Sequence, residues 1–328
     1  MKLYSTFLLW VVVSASIVSS YPSSAQNWVP VREKAKDSTF YLEVTQQKRD
    51  GTGRQTFTAT GFVISEIGGL TVAHAVPEPS PDTIVEYHAS IGSRHAHKFP
   101  VEVIARDPAL DLAVLAFPEL QTWKPVEFGE SLPVPADARL YVLGFPLNAD
   151  LSSADGLLRN RRGPGGRWQT TLPLNYGNSG GPVFDIGGKV IGIAAGGFDQ
   201  AQLMTIVIPA DYARPLRSMV RAAALKSNEP GFAYFPFVKS VEDQQAAELA
   251  EEFCLPAGKR VVSFSPQILS QNGQNTRLLS AKTDPNRPNC IDFKAEVVGN
   301  GVEQYGSIVV GHKGRGWLSG YIKVYGTP

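Results

Sequence analysis

The sequence predicts a mostly β fold, and three observations carry that reading. Between Ser38 and about Ile208, short runs rich in Val, Ile, Leu and aromatic residues recur, with Gly, Pro, Asp or Asn between them and no long helical period. Glycine (31) and proline (24) are plentiful, as a turn-rich chain requires. The 43% hydrophobic content is that of a folded protein, and 328 residues exceed what one compact core usually holds, so a second unit is expected.

Taken in order, Lys2 gives a positive start, Phe7 to Val18 is apolar, and Ser23-Ser24-Ala25 supplies small residues before Gln26. This is the layout of a secretory signal peptide over residues 1–25, with a retained anchor as the alternative; the apolar core is short for a span of roughly 20 residues. Strands are expected at Phe40-Gln46, Thr56-Ile64, Thr83-Tyr87, Val101-Ala105, Leu112-Phe117, Arg139-Gly144, Pro182-Phe184, Val190-Ala194 and Met204-Ile208. From Asp211 to Leu225, Leu216, Met219, Val220 and Ala223 share one helical face, with Pro215 in the first turn. Residues 26–225 are thus one unit, 226–236 a polar linker, and 237–328 a small α+β or β-rich accessory unit. In that last unit, Ser240-Val241-Glu242-Asp243 suggests a cap for a helix over Gln244-Phe253. Strands are expected at Arg260-Phe264, Phe293-Val298, Ser307-Val310 and Tyr321-Val324, with a hairpin turn at Asn300-Gly301.

A formal net charge of +1 gives no electrostatic reason to expect nucleic acid as a partner. Arg159, Arg161 and Arg162 cluster among Gly163, Gly165 and Gly166, which suits an exposed loop. Two cysteines, Cys254 and Cys290, lie close together in the accessory unit; export permits a disulfide between them, and two buried thiols are the alternative. His95 and His97 would share a strand face, but no third ligand stands at a recognisable metal spacing.

Three segments carry chemistry. Leu70-Thr71-Val72-Ala73-His74-Ala75-Val76 presents a histidine after a strand. In Asp107-Pro108-Ala109-Leu110-Asp111-Leu112-Ala113-Val114-Leu115, an acid opens a very apolar strand, an expensive place for a carboxylate that meets no donor. Asp107 competes for that role but suits a turn before proline. In Asn175-Tyr176-Gly177-Asn178-Ser179-Gly180-Gly181-Pro182, glycines flank a serine and allow a strained turn. Attack on a peptide bond by an alcohol needs a base, an anion to orient it and donors for the developing oxyanion. His74, Asp111 and Ser179 fit those needs, with the amides of Gly177 and Ser179 as the oxyanion hole.

In the order His, Asp, Ser, these segments resemble the chymotrypsin-type (trypsin-like) serine peptidases, and in detail the HtrA/Deg branch. Ala59-Thr60-Gly61-Phe62-Val63-Ile64, Val142-Leu143-Gly144-Phe145-Pro146, Gln169-Thr170-Thr171, Val190-Ile191-Gly192-Ile193 and Ile208-Pro209 add to the match, over roughly residues 38 to 225. The resemblance implies a chymotrypsin-like double β-barrel closed by a C-terminal helix. It also implies an exported serine endopeptidase, secreted or periplasmic, acting on protein or peptide substrates, with no metal or organic cofactor and no stable membrane span once the signal is cleaved. Two departures stand out: Tyr176 replaces the branch's usual proline, and residues 231–328 hold no Gly-Leu-Gly-Phe-type loop of a PDZ domain. Ala154 to Gly166 aligns with a family loop that controls access.

Six residues before Ser179 stands Pro173, where relatives that cleave after Lys or Arg carry an acid. Pro173, Leu174, Ala194, Ala195 and Gly196, with Leu172, are the expected lining of the primary pocket, which favours cleavage after Val, Ala or Leu. A histidine base acts only when neutral, so turnover is expected to fall on acidification through about pH 6 to 7. The runner-up is a catalytically silent scaffold that keeps this fold for binding.

Overall fold

A computed structural model describes residues 27–65, 68–117, 123–131, 133–197, 204–217, 232–241, 246–255, 258–272, 276–298, 301–305, 308–314 and 316–326. The expected signal segment lies outside them. Helix α1 (Val29–Ala35) has a proline in its first turn and buries Val31 and Ala35. Seven strands follow: β1 (Thr39–Lys48), β2 (Gln55–Ser65), β3 (Gly68–Thr71), β4 (Thr83–Ile91), β5 (Phe99–Pro100), β6 (Glu102–Asp107) and β7 (Leu112–Ala116). They form one antiparallel sheet in the order β5-β4-β1-β2-β3-β7-β6. Six more, β8 (Arg139–Gly144), β9 (Ser152–Asn160), β10 (Trp168–Thr170), β11 (Pro182–Phe184), β12 (Val190–Gly197) and β13 (Thr205–Pro209), close into a barrel in the order β10-β13-β12-β11-β8-β9. The chymotrypsin-like fold is thus one closed barrel beside one open sheet.

The apolar runs of the sequence have a direct cause. In β7, Leu112 and Val114 enter the cluster shared by sheet and barrel, while Ala113 and Leu115 face the sheet's own core. In β8, Leu140 and Val142 fill the barrel, while Tyr141 and Leu143 turn to the shared cluster. Side chains alternate across a strand, so a strand covered on both faces is apolar at every position.

After a 3-10 turn, helix α2 (Arg214–Arg217) is short; it covers the start of the expected helix over 211–225, whose later residues lie outside the described set. The C-terminal strands are β14 (Phe232–Val241), β15 (Ala246–Cys254), β16 (Val261–Asn272), β17 (Arg277–Thr283), β18 (Cys290–Val298), β19 (Gly301–Tyr305), β20 (Ile308–Gly314) and β21 (Gly316–Gly326). They pair as β14-β21-β16, β15-β18-β17 and β19-β20, and the first two sheets enclose a core that includes Phe237, Leu249, Phe253, Ile291 and Phe293. β14 packs on β6, and α2 packs on β16 and β21.

The structure departs from the sequence expectations at several places. Of the helix expected over 244–253, the described residues from Ala246 on form a strand instead: their Ala and Glu favour helix, but Leu249 and Phe253 are buried on one face of β15, which pairs with β18. The loop expected over 154–166 is a barrel strand as far as Asn160, with only Leu158 of β9 fully buried. β14 begins at Phe232, inside the expected linker. The Asn300-Gly301 turn falls partly outside the described residues, and the strands flanking it, β18 and β19, belong to different sheets. β15 and β18 set Cys254 opposite Cys290, with an S–S distance of 2.05 Å.

Candidate active site

His74 sits in a single 3-10 turn (Ala73–Ala75) after β3. Its backbone N–H donates to Asp111 Oδ1 at 2.9 Å, and its Nδ1 lies 3.0 and 2.9 Å from Oδ1 and Oδ2. Two carboxylate oxygens around Nδ1 favour the tautomer protonated there, which leaves Nε2 as the basic atom. Asp111 ends the turn into β7 with φ 59°, a left-handed backbone that Asp tolerates better than most residues. Its side chain is only 15% exposed. Asp107 serves the turn instead, since its Oδ1 accepts the Leu110 N–H at 3.0 Å. Arg106 donates to the Ala73 carbonyl at 3.0 Å and so ties β6 to the residue before His74.

The serine loop comes from the barrel, between β10 and β11. Gly177 and Gly180 take φ of 95° and 86°, a region where a Cβ is costly. A Cβ would also meet the Phe145 carbonyl at 2.2 Å from Gly177, and the Thr60 carbonyl at 2.1 Å from Gly180. The carbonyls of this loop are pinned. Leu147 N–H donates to Tyr176 O at 2.7 Å, and Gly181 N–H donates to Asn178 O at 2.9 Å. In a trans peptide the N–H points opposite its C=O, so these bonds turn the Gly177 and Ser179 amides the other way. Neither amide donates to any group among the described residues, while those of Asn178, Gly180 and Gly181 all do.

His74, Gly177 and Ser179 line one cleft of about 610 Å³. Ser179 Oγ makes no hydrogen bond to His74 among the described contacts; base and nucleophile commonly tighten only on substrate. Of the residues expected in the primary pocket, Leu174, Ala195 and Gly196 line the cleft. Pro173 and Ala194 do not, and Ala194, like Leu172, belongs to the barrel core. No carboxylate lines the cleft among the described residues. Sequence reasoning missed Phe57, Thr58 and Gly197, which also line it. Their signal was adjacency alone: β2 precedes the histidine and Gly197 ends β12. Tyr176, 82% exposed, stands at the cleft's edge.

Residues 59–193 match the family model of the trypsin-like peptidase domain. The chain carries a trypsin-like peptidase domain. Over 232 residues it is 25% identical to a probable periplasmic serine endoprotease DegP-like of Bartonella henselae, covering 66% of this chain and 45% of that protein. Over 215 residues it is 29% identical to the mitochondrial serine protease HTRA2 of Drosophila virilis, covering 60% and 48%. The chain thus spans about half the length of these curated relatives. The crystal structure of the serine endoprotease from Yersinia pestis shares the peptidase fold, with a TM-score of 0.50 at 17% identity over 60% of this chain and 68% of that one. Within the described residues, no helix is long and apolar enough to cross a membrane.

Proposed function

We propose that this protein is an exported serine endopeptidase in which His74, Asp111 and Ser179 form the triad and the Gly177 and Ser179 amides the oxyanion hole. One observation carries the reading: an Asp-bound histidine, a glycine-flanked serine and two undonated amides with pinned carbonyls meet in one cleft. His74 Nε2 takes the Ser179 proton as Oγ attacks the substrate carbonyl, and the two amides receive the oxyanion. The imidazolium, held by Asp111, then protonates the leaving amine, and a water activated by the same base releases the acyl group. Leu174, Ala195 and Gly196, with no acid beside them among the described residues, favour small or medium aliphatic side chains before the cut. The C-terminal strands from β14 onward are an accessory unit, and the signal-like start directs export to the periplasm or beyond.

A fluorophosphonate probe should label the wild type and not Ser179→Ala, with both variants folded. Labelling that survives Ser179→Ala would overturn the nucleophile, and an unlabelled, inactive wild type would favour the silent scaffold. On fluorogenic peptides differing only in the residue before the cut, Val, Ala or Leu should exceed Arg at least about tenfold in kcat/KM. A preference for Arg would sink the pocket assignment.

A further inference from the structure

From the geometry we infer that Thr60, on β2 of the open sheet, is a positioning residue for the oxyanion hole; this rests on the serine endopeptidase reading above. Thr60 is fully buried, and each of its polar atoms is committed to the nucleophile loop or its supports. Its backbone N–H donates to Ser179 O at 2.9 Å. Its hydroxyl donates to Gly177 O at 2.6 Å and accepts the Phe145 N–H at 3.0 Å. Its carbonyl accepts the Thr71 hydroxyl at 2.8 Å. Its methyl lies 3.4 Å from where a Cβ on Gly181 would stand.

Gly177 is held through both of its peptide planes. The plane before it is fixed by the Leu147 amide on Tyr176 O, and the plane after it by the Thr60 hydroxyl on its own carbonyl. At φ 95° a glycine has several backbone states within reach, so these two bonds choose among them. One hydroxyl therefore ties Gly177 to Phe145 on the segment carrying Leu147, and the Thr60 amide ties Ser179 to β2. Removing that hydroxyl leaves a buried carbonyl and a buried N–H unpaired at the point where the amide must be aimed. The expected effect falls on the transition state and not on substrate binding, since Thr60 does not line the cleft.

The test compares wild type, Thr60→Val, Thr60→Ala and Thr60→Ser on one peptide substrate that the wild type cleaves. A peptide boronate serves as an oxyanion mimic, and thermal unfolding is followed in parallel. Thr60→Val keeps the shape and should lower kcat at least about tenfold, with KM within about twofold and a matching loss of boronate affinity. Thr60→Ala repeats the loss of the hydroxyl in a second background. Thr60→Ser keeps the hydroxyl and should stay within about threefold of wild type in kcat. The inference is overturned if a folded Thr60→Val or Thr60→Ala turns over within about twofold of wild type, if the loss is carried in KM, or if Thr60→Ser is as slow as Thr60→Val. A wild type that neither labels nor cleaves would instead refute the endopeptidase reading and leave Thr60 as a loop anchor only.

Discussion

Replacing Asp111 by Asn tests the orientation of His74 with little other change. Asn accepts a left-handed backbone as readily as Asp, so the turn at φ 59° survives. The carboxylate does two jobs, accepting the His74 backbone N–H at Oδ1 and facing Nδ1 with both oxygens. If the Asn carbonyl keeps the backbone bond, its NH2 falls opposite Nδ1. Nδ1 must then accept, the proton moves to Nε2, and the atom proposed to deprotonate Ser179 is no longer a base. The substitution at the corresponding position of a Ser-His-Asp triad costs about 10⁴ in kcat, or roughly 5 kcal/mol at about 1.36 kcal/mol per decade. The same loss is expected here in kcat and in the rate of fluorophosphonate labelling, with thermal stability nearly unchanged. Asp107→Ala is the comparison, because Asp107 braces the turn at Leu110 and makes no bond to His74 among the described contacts; it should cost about 1–2 kcal/mol of stability or more and leave kcat within a few-fold. An Asp111→Asn protein within about tenfold of wild type, or a folded Asp107→Ala protein as slow as Asp111→Asn, would refute this assignment.

Three further outcomes follow from the geometry. Gly180→Ala puts a Cβ 2.1 Å from the Thr60 carbonyl at φ 86°, so it should abolish labelling and destabilise by more than about 1 kcal/mol in chemical denaturation; a stable, labelled variant would contradict the loop geometry. Joining Cys254 to Cys290 across 36 residues is worth about 3–4 kcal/mol by loop closure, so Cys254→Ser with Cys290→Ser should lower the unfolding transition of the C-terminal strands, and an unchanged transition would count against the bond. Asp284 is held below the ordinary carboxylate range by the Asn286 amide and the Arg287 guanidinium. A depressed acid stabilises the fold above its unfolded range and loses that effect as pH falls, so the deficit of Asp284→Ala should be largest near neutrality and shrink towards acid pH. A deficit independent of pH would mean the carboxylate's charge does not contribute.

The sequence was most legible where chemistry is packed into short segments. Ala73-His74 and Gly177-Asn178-Ser179-Gly180 each combine a candidate catalytic side chain with small residues that let the backbone present it, and such patterns survive without knowledge of the fold. Most strands of sheet and barrel were legible too, because Leu112-Leu115 and Leu140-Leu143 are buried on both faces. β9 was not, since only Leu158 of its nine residues is fully buried and the rest look like a polar loop. β15 was misread because Ala and Glu favour helix locally, while pairing with β18 decides the outcome at long range. Thr60 was seen only as part of a strand motif. Its partners Phe145, Gly177 and Ser179 lie 85 or more residues away, and hydrogen bonds to backbone leave no mark in the partner's identity.

That distance explains why the site is built between two sheets. A loop with left-handed glycines at Gly177 and Gly180 carries little conformational preference of its own, so its shape must come from what surrounds it. The barrel supplies part, through Gly180 N–H on Ala194 O at 2.7 Å. The segment after β8 adds Leu147 N–H on Tyr176 O, and the open sheet adds Thr60, whose carbonyl accepts the Thr71 hydroxyl; the same sheet leads into the turns that carry His74 and Asp111. The proposed base and the serine loop are therefore referenced to one set of strands, although Ser179 itself belongs to the barrel. The apolar cluster shared by Phe62, Leu70, Leu143 and Phe184 fixes the two sheets against each other beneath these contacts. If the proposed triad is right, a small slip there would move Ser179 relative to His74 while leaving both sheets folded, so substitutions at the hydrogen bonds crossing that seam are expected to lower turnover as well as stability.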